Sequence, residues 1–173
     1  MKNIKVRLVT TTDLSRLQTI GRLTFAETFS ESNSEENMQL YLNNSFSIEK
    51  LTAELNDSNA TFYFATFENE VIGYLKLNCG LSQTELTDEN AVEIERIYVS
   101  KAFHGKKVGQ LLYEKAIAMA KKKNADYVWL GVWEENKRAI QFYQKNGFVE
   151  FDKHIFKLGD EEQTDLMMKL NLK

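Results

Sequence analysis

Residues 91–112 have the sequence AVEIERIYVSKAFHGKKVGQLL and combine a strand-like run with the opening of a helix. The run AVEIERIYV (91–99) is rich in β-branched residues, which is typical of a strand. From about Gly105 to Lys123 the apolar residues recur at helical spacing. The stretch therefore predicts a strand that is followed, across a short loop, by a long helix.

The start of that helix has the features of an anion-binding site. Gly105 and Gly109 would let a ligand approach the backbone closely, and the first N–H groups of a helix have no partner within it. Lys106 and Lys107 add positive charge at a helix end that already attracts anions. Neither G-x-x-x-x-G-K-S/T nor G-x-G-x-x-G occurs here, which argues against those two nucleotide-binding loops. Two glycines before a helix are also typical of a plain tight turn.

The rest of the chain predicts further strands and helices. Alternating or β-rich runs mark strands at 4–9, 61–67, 71–77, 126–133, 148–156 and 164–170. Capping residues and helical spacing mark helices that begin after Thr11 or Thr12, at Ser34, at Ser47 and at Asn136. The order of these elements in the second half predicts a mixed α/β sheet. No proline, repeat or low-complexity linker interrupts the chain, so we expect a single domain over residues 1–173.

Composition excludes several classes of protein. The 173 residues are 43% hydrophobic and 27% charged, an ordinary balance for a globular chain. Cys79 is the single cysteine and there are two histidines, so we expect neither an internal disulfide nor a Cys/His zinc site, and no metal. The pattern shows no signal peptide and no membrane span, so we expect a cytoplasmic protein that does not bind a membrane. The net charge of −3 argues against a general nucleic-acid binder.

The charges are unevenly distributed along the chain. Residues 96–123 carry eight Lys/Arg against one acid, whereas residues 27–57 carry seven acids against one base. This separation suggests an anion bound by the first region and a cation attracted by the second. For any single charge, a solvated helix face is the alternative.

A second motif, NKRAIQFYQKNGF, covers residues 136–148. Asn136 can cap a short helix that ends at Asn146-Gly147, a pair that favours a left-handed C-terminal turn. Helical periodicity places Tyr143 two turns below Asn136 on the same face. Taken alone, Tyr143 is typical of a core aromatic residue whose hydroxyl group is satisfied.

Together, the two motifs resemble those of the GNAT superfamily of acyl-coenzyme A-dependent N-acetyltransferases. The resemblance covers the whole chain in element order and is most specific over residues 91–149. It implies an α/β (α+β) fold with a mixed, largely antiparallel seven-stranded sheet that is splayed near the fourth and fifth strands and flanked by helices. The segments ETFSESNSEENMQLYL, WLGVWEENKRAI and GDEEQTDLMM look, more narrowly, like the bacterial Pai-type spermidine/spermine N-acetyltransferases.

The resemblance also implies a set of residues that bind acetyl-coenzyme A. They are Ile97, Tyr98, Val99, His104, Gly105, Lys106, Lys107, Val108, Gly109, Gln110, Asn136, Arg138, Ala139, Tyr143 and Lys145. The loop departs from the family pattern Gln/Arg-x-x-Gly-x-Gly/Ala, because His104 replaces Gln/Arg and Lys107 stands where the first glycine is expected. Gly105 can supply the flexibility from a shifted position. The phosphate contacts are mainly with main-chain N–H groups, so we expect binding to survive.

Acetyl transfer to an amine requires a base and a donor for the leaving thiolate. A primary ammonium has a pKa near 10.4, so something must accept its proton. Glu93 and Glu95 lie at i and i+2 of one strand and therefore share a face; either could act as the base, or both could be acids on a solvated face or paired with Arg96. The resemblance implies that Tyr143 donates a proton to the thiolate. It also implies that a main-chain N–H near Ile97–Val99 stabilises the carbonyl oxygen.

The acidic region 27–57, together with the acids of residues 85–95, suggests a multiply charged amine as acceptor, with a polyamine favoured. Glu27, Glu35, Glu36 and Tyr41 are the candidate substrate-binding residues. A protein acetyltransferase that acts on N-terminal or lysine amines is an alternative, and a non-catalytic acetyl-coenzyme A-binding module is another. The exposed apolar residues expected on the final strands would permit a homodimer as well as a monomer.

Overall fold

The computed structural model describes residues 3–173, so residues 1 and 2 of the predicted domain lie outside it. Within that range seven strands form one sheet in the order β1-β2-β3-β4-β5-β7-β6. The strands are β1 (Ile4–Leu8), β2 (Ala60–Phe67), β3 (Glu70–Cys79), β4 (Ala91–Val99), β5 (Tyr127–Trp133), β6 (Val149–Leu158) and β7 (Glu161–Asn171). Only the β4–β5 pair is parallel among these strands. The predicted mixed, largely antiparallel sheet is confirmed.

Five helices flank the sheet over residues 3–173. They are α1 (Leu14–Phe29), α2 (Glu35–Ser45), α3 (Ile48–Asn56), α4 (Val108–Lys122) and α5 (Lys137–Lys145). The side chains of Ser34, Ser47 and Asn136 accept hydrogen bonds from the first turns of α2, α3 and α5, as their capping positions predict. None of these helices is both long and apolar enough to cross a membrane.

The sheet separates between β4 and β5. These two strands pair only where Ala91–Glu93 lie beside Tyr127–Trp129. Beyond that point β4 continues to Val99 in contact with β3, while β5 continues to Trp133 in contact with β7. A wedge therefore opens within the sheet, and the predicted splay between the fourth and fifth strands is confirmed.

A β-bulge at Glu95 changes which residues of β4 face which side. Lys76 of β3 pairs with Arg96 while the next residue, Leu77, pairs with Ile94, so Glu95 is the extra residue. Strict alternation predicts Glu93, Glu95 and Ile97 on one face. After the bulge Arg96, instead of Ile97, lies on the Glu93 side, close to the aromatic ring of Phe46. The sequence pattern gave no sign of this bulge.

Two hydrophobic cores hold the two faces of the sheet. One packs α4 and α5 against the sheet through residues such as Leu112, Ala116 and Leu130. The other packs α1, α2 and α3 through residues such as Leu17 and Phe64. Each of these leucine and phenylalanine side chains, when fully buried, stabilises the fold by about 1.5–3 kcal/mol. The wedge between β4 and β5 thus lies between two packed layers.

Candidate active site

A cleft of about 420 Å³ runs through the wedge and is lined by residues from both faces of the sheet. We call one part the basic end, lined by Val99, His104, Gly109, Asn136 and Arg138. We call the other part the acidic end, lined by Glu85, Glu93, Glu95, His154 and Asp165. The separation of charge expected from the sequence is therefore present, although its acids come from residues 85–95 and from Asp165 and not from residues 27–57.

The loop that enters α4 forms the outer part of the basic end. Helix α4 begins at Val108, three residues later than predicted, because Gly105 (φ 78°) and Lys107 (φ 61°) both adopt left-handed conformations before it. Lys107 therefore takes the conformation that a glycine would favour, in addition to Gly105. No side chain caps this helix end, so its first N–H groups are free to meet a ligand. A Cβ placed on Gly105 or Gly109 would meet open space.

His104 links the end of β4 to helix α5. Its Nε2–H donates to the carbonyl oxygen of Val99 at 2.8 Å. Its Nδ1 therefore carries no proton and accepts a hydrogen bond from the guanidinium of Arg138. This arrangement needs the neutral imidazole, and it holds Arg138 beside the loop that leads into α4.

Tyr143 lies inside the cleft, on the face of α5 that turns toward the sheet. Its ring packs between those of Phe142 and Phe148, at centroid distances of 5.4 and 5.6 Å. Burial raises the pKa of its hydroxyl above the ordinary range, so the group stays protonated at neutral pH. Asn136 caps the same helix by accepting from the Ala139 N–H at 3.2 Å and also lines the cleft.

Glu93 and Glu95 are brought together at the acidic end but have different partners. The amide of Asn78 donates to both, at 3.1 Å to Glu93 and 2.6 Å to Glu95. Glu93 receives two further hydrogen bonds from the N–H and hydroxyl groups of Thr84. Glu95 instead forms ion pairs with Lys76 and Arg96.

The pKa values of Glu93 and Glu95 are shifted in opposite directions. Burial raises the pKa of Glu93 above the ordinary glutamate value, and its hydrogen bonds only partly oppose this. For Glu95 burial acts in the same sense, but Arg96 and Lys76 outweigh it and lower the pKa. Glu93 is therefore the better proton acceptor of the two, since Glu95 is already neutralised by cations.

A further cluster at the acidic end brings together Glu85, His154 and Asp165. Nε2 of His154 lies 3.1 Å from a carboxylate oxygen of Glu85. Asp165 faces His154 across the β6–β7 pair. Burial raises the pKa of Asp165 to about 6, the nearby Glu85 adding to this and His154 opposing it.

Aromatic side chains form the wall between the acidic end and helices α1 and α2. The ring of Phe29 lies 5.6 Å from that of Trp133 and 6.2 Å from that of Phe156. The ring of Tyr41 stacks on Phe25 at 4.3 Å and meets Phe156 at 5.7 Å. Such a wall suits alkyl chains and can also attract a cation through the ring faces.

The structure places many of the predicted residues in the cleft and leaves others outside it. The predicted residues that line it are Tyr41, Glu93, Glu95, Ile97, Tyr98, Val99, His104, Gly109, Asn136, Arg138, Ala139 and Tyr143. The predicted residues that do not line it are Glu27, Glu35, Glu36, Gly105, Lys106, Lys107, Val108, Gln110 and Lys145.

The residues outside the cleft have identifiable positions. Val108 is buried in the core beneath α4, and Lys145 lies in the last turn of α5, away from the Asn136 end. Glu27 accepts a hydrogen bond from the Lys101 N–H at 2.8 Å. Glu35 and Glu36 occupy the exposed first turn of α2, where acids favour a helix N-terminus. The acid-rich stretch 27–57 therefore did not identify the acids of the cleft.

Sequence reasoning missed His154 and Asp165, and it included Glu85 only as one of the acids of residues 85–95. These three residues come from a loop and two different strands, and no local motif joins them. The usable signal was the final hairpin, where pairing of 148–156 with 164–170 already placed His154 and Asp165 on neighbouring strands.

Comparison with known proteins gives one family. The acetyltransferase (GNAT) family model matches residues 22–148. An uncharacterized N-acetyltransferase from the pepI 3′ region of Lactobacillus delbrueckii subsp. lactis is 40% identical over 169 residues, which cover 98% of each chain.

Two further matches, both from Thermoplasma acidophilum, have lower sequence identity. A spermidine N(1)-acetyltransferase is 28% identical over 171 residues, 96% of each chain. The crystal structure of a PaiA N-acetyltransferase in complex with coenzyme A superposes with a TM-score of 0.81 at 27% identity, covering 97% of this chain and 98% of that one.

Proposed function

Because the chain belongs to the acetyltransferase (GNAT) family, we propose that it transfers the acetyl group of acetyl-coenzyme A to a primary amine of a small cationic acceptor, with polyamines as the preferred class. The observation that carries this proposal is the cleft through the sheet, which has both a basic end and an acidic end and is also lined by Tyr143. A polyanionic donor fits the first end and a cationic acceptor fits the second. The compartment that fits a chain with a single cysteine is the reducing cytoplasm.

The basic end fits the diphosphate of coenzyme A. The first N–H groups of α4 have no side-chain cap, and the helix dipole favours negative charge at this point. The open space over Gly105 and Gly109 lets a phosphate come close to the backbone. Lys106, Lys107 and Arg138 are exposed around the loop and supply the countercharge.

The wedge fits the extended arm of the coenzyme. Within residues 3–173 β4 has no partner strand on the β5 side past Glu93, so the main-chain groups of Glu95–Val99 that point away from β3 are available on that edge, apart from the Val99 carbonyl that accepts from His104. An arm that carries amide groups can pair with such an edge in the manner of an added strand. A main-chain N–H in Ile97–Val99 would then stabilise the charge that develops on the thioester oxygen.

Proton transfer is assigned to Glu93 and Tyr143. An acceptor ammonium must lose a proton before or during attack on the thioester. Glu93 accepts it, directly or through water, because it has a raised pKa and forms no ion pair within residues 3–173. Tyr143 stays protonated and donates to the leaving thiolate.

The acidic end and its aromatic wall support a polyamine as acceptor. Glu85, Glu93 and Asp165 offer negative charge, and the rings of Phe29, Trp133 and Phe156 offer a surface for methylene groups. The spermidine N(1)-acetyltransferase of Thermoplasma, a relative over nearly the full length, supports the same class. Glu27, Glu35 and Glu36 do not line the cleft and have no role in the proposed reaction.

A thiol-release assay with acetyl-coenzyme A tests the proposal. We expect turnover with spermidine, weaker turnover with butylamine, and a ratio of the two kcat/KM values that falls as salt is raised, because salt screens the acidic end. Turnover with peptides alone would instead indicate a protein acetyltransferase. Coenzyme binding without turnover on any amine would indicate a non-catalytic binding module.

A further inference from the structure

We propose that Asp165, supported by His154 and Glu85, binds a second cationic group of the acceptor and thereby selects diamines and polyamines over monoamines. This inference rests on the proposed amine acetylation. It assigns a specificity-determining role to a carboxylate that takes no part in the proposed proton transfers.

The carboxylate of Asp165 faces open cleft. One of its oxygens lies 3.4 Å from where a Cβ on Gly131 would stand, so the glycine keeps the space beside it free. Within residues 3–173 this carboxylate forms no hydrogen bond and no ion pair, although the residue lies mostly inside the protein. A largely buried carboxylate that ionises without a partner is costly, and a ligand cation would remove that cost.

The neighbours of Asp165 favour an organic cation over a metal ion. Glu85 and His154 lie on one side, 3.1 Å apart, and add a second carboxylate to the subsite. In the part of the chain that the structure describes, no group of three or more His, Cys, Asp or Glu residues is arranged to hold a metal ion. The negative charge is therefore spread along the cleft wall and does not converge on a point.

Aromatic rings flank the subsite on two sides. Trp133 is the β5 residue paired with Asp165, and Phe156 lies two residues beyond His154 on the same face of β6. Both rings line the cleft, and Phe29 bridges them. A short alkyl chain that ends in an ammonium group fits an apolar passage with a carboxylate at its end.

The position of Asp165 separates it from the reacting nitrogen. The thioester is expected beside β4, and Asp165 stands on β7, beyond β5. Neighbouring strands lie about 4.8 Å apart, so the backbone of Asp165 is at least about 10 Å from that of β4. Two nitrogens joined by three or four methylene groups can bridge from the thioester to the Asp165 carboxylate, which would place the second nitrogen of a diamine at the subsite.

Steady-state kinetics with butane-1,4-diamine, spermidine and butylamine test the inference. Asp165→Asn is expected to lower kcat/KM at least about tenfold for the diamine and for spermidine, and less than about twofold for butylamine, because only the first two place a charge at the subsite. Asp152→Asn is the matched control, since it makes the same change at an exposed position of the same hairpin. It should leave all three acceptors within about twofold of the wild type.

The outcomes separate this inference from the proposed function. An equal loss for all three acceptors, or no loss for any, would overturn the role of Asp165 while leaving amine acetylation intact. A wild-type protein that acetylates no amine would overturn both. If Asp165→Asn does not fold, Glu85→Gln in the adjoining loop carries the test, with an expected loss of about threefold confined to the diamine and spermidine.

Discussion

At the basic end of the cleft the charged side chains are exposed and come from two short stretches of chain, whereas most charged groups of the acidic end are buried or half-buried and come from several elements. Lys106, Lys107 and Arg138 at the basic end are in contact with solvent. At the acidic end Glu93 is only 3% exposed, and Arg96, which pairs with Glu95, is 8% exposed. Main-chain donors dominate the first site and ionised side chains dominate the second.

This difference indicates at which end of the cleft a substitution is tolerated and at which end it lowers stability. A site made of main-chain groups tolerates changes of side chain, which is why His104 and Lys107 can stand in a loop that departs from the family pattern. A site made of buried charges depends on every partner, because an ion left without its partner in the interior is strongly unfavourable. The predictions below test this contrast, beginning with the largest effect.

Removing a buried carboxylate beneath the acidic end should cost far more stability than removing an exposed lysine at the basic end. Glu54 pairs with both Lys76 and Arg96 at 3.2 Å. Glu54→Gln should lower the free energy of unfolding by about 3 kcal/mol. Lys106→Gln should lower it by less than about 1 kcal/mol. Urea denaturation measures both values, and similar losses would remove the contrast.

Tyr143→Phe should separate chemistry from coenzyme binding. Loss of the hydroxyl group should lower kcat between about tenfold and a hundredfold, since general acids contribute about 10²–10⁴-fold and water can partly replace one. The dissociation constant for coenzyme A should change less than about twofold, because the basic end is untouched. Tyr113→Phe, in the same aromatic cluster but outside the cleft, is the control and should keep wild-type kcat. Unchanged turnover in Tyr143→Phe would show that this hydroxyl is not the acid.

Glu93→Gln should remove one limb of the pH profile. Because burial raises the pKa of Glu93, this carboxylate becomes protonated at a higher pH than an ordinary glutamate does. The activity of the wild type should therefore begin to fall at that higher pH as the solution is acidified. The variant should lose about tenfold in kcat/KM at neutral pH and should lack that acid limb. A profile that keeps its acid limb in the variant would assign the base elsewhere.

Asp165→Asn should stabilise the protein at alkaline pH. Folding raises the pKa of the Asp165 carboxyl group to about 6. The carboxyl group therefore stabilises the folded state at pH values below its pKa in the unfolded chain, and this contribution is lost as pH rises through about 6. The neutral amide avoids this loss, so the variant should be more stable than the wild type by about 1–2 kcal/mol at pH 8 and equal to it near pH 4. Thermal or urea unfolding at the two pH values measures the difference, and a variant less stable at pH 8 would contradict it.

Lys107→Gly should have the smallest effect. The glycine relieves the left-handed strain of Lys107 but adds freedom to the unfolded chain, so stability should change by less than about 1 kcal/mol. Coenzyme affinity should fall modestly, about two- to threefold, through loss of one exposed charge. A tenfold loss, measured by titration calorimetry, would mean that the side chain of Lys107 matters more than the main chain.

The basic end could be predicted from sequence because its signals are local. The strand at 91–99, the glycines before α4 and the Asn136 cap of α5 each lie within a few residues of their structural partners. The acidic end could be predicted only in part: Glu93 and Glu95 lie on one strand, whereas Asp165 joins them only after the whole sheet has formed. The bulge at Glu95 was hidden as well, since an extra residue leaves no mark in the pattern of AVEIERIYV. The density of acids in residues 27–57 was a poor guide to the acids of the cleft, because Glu35 and Glu36 lie in the first turn of a helix, where acids stabilise the helix N-terminus.

The short pairing between β4 and β5 divides the sheet into two parts. Three residues on each strand join the β1–β4 part to the β5–β7 part, and the cleft lies just beyond this seam. A ligand that fills the wedge would connect the two parts of the sheet next to its shortest strand pairing. Amide protons on the two sides of the seam should therefore exchange with solvent faster than those of β2 and β3 in the empty protein, and slow down together once the wedge is filled.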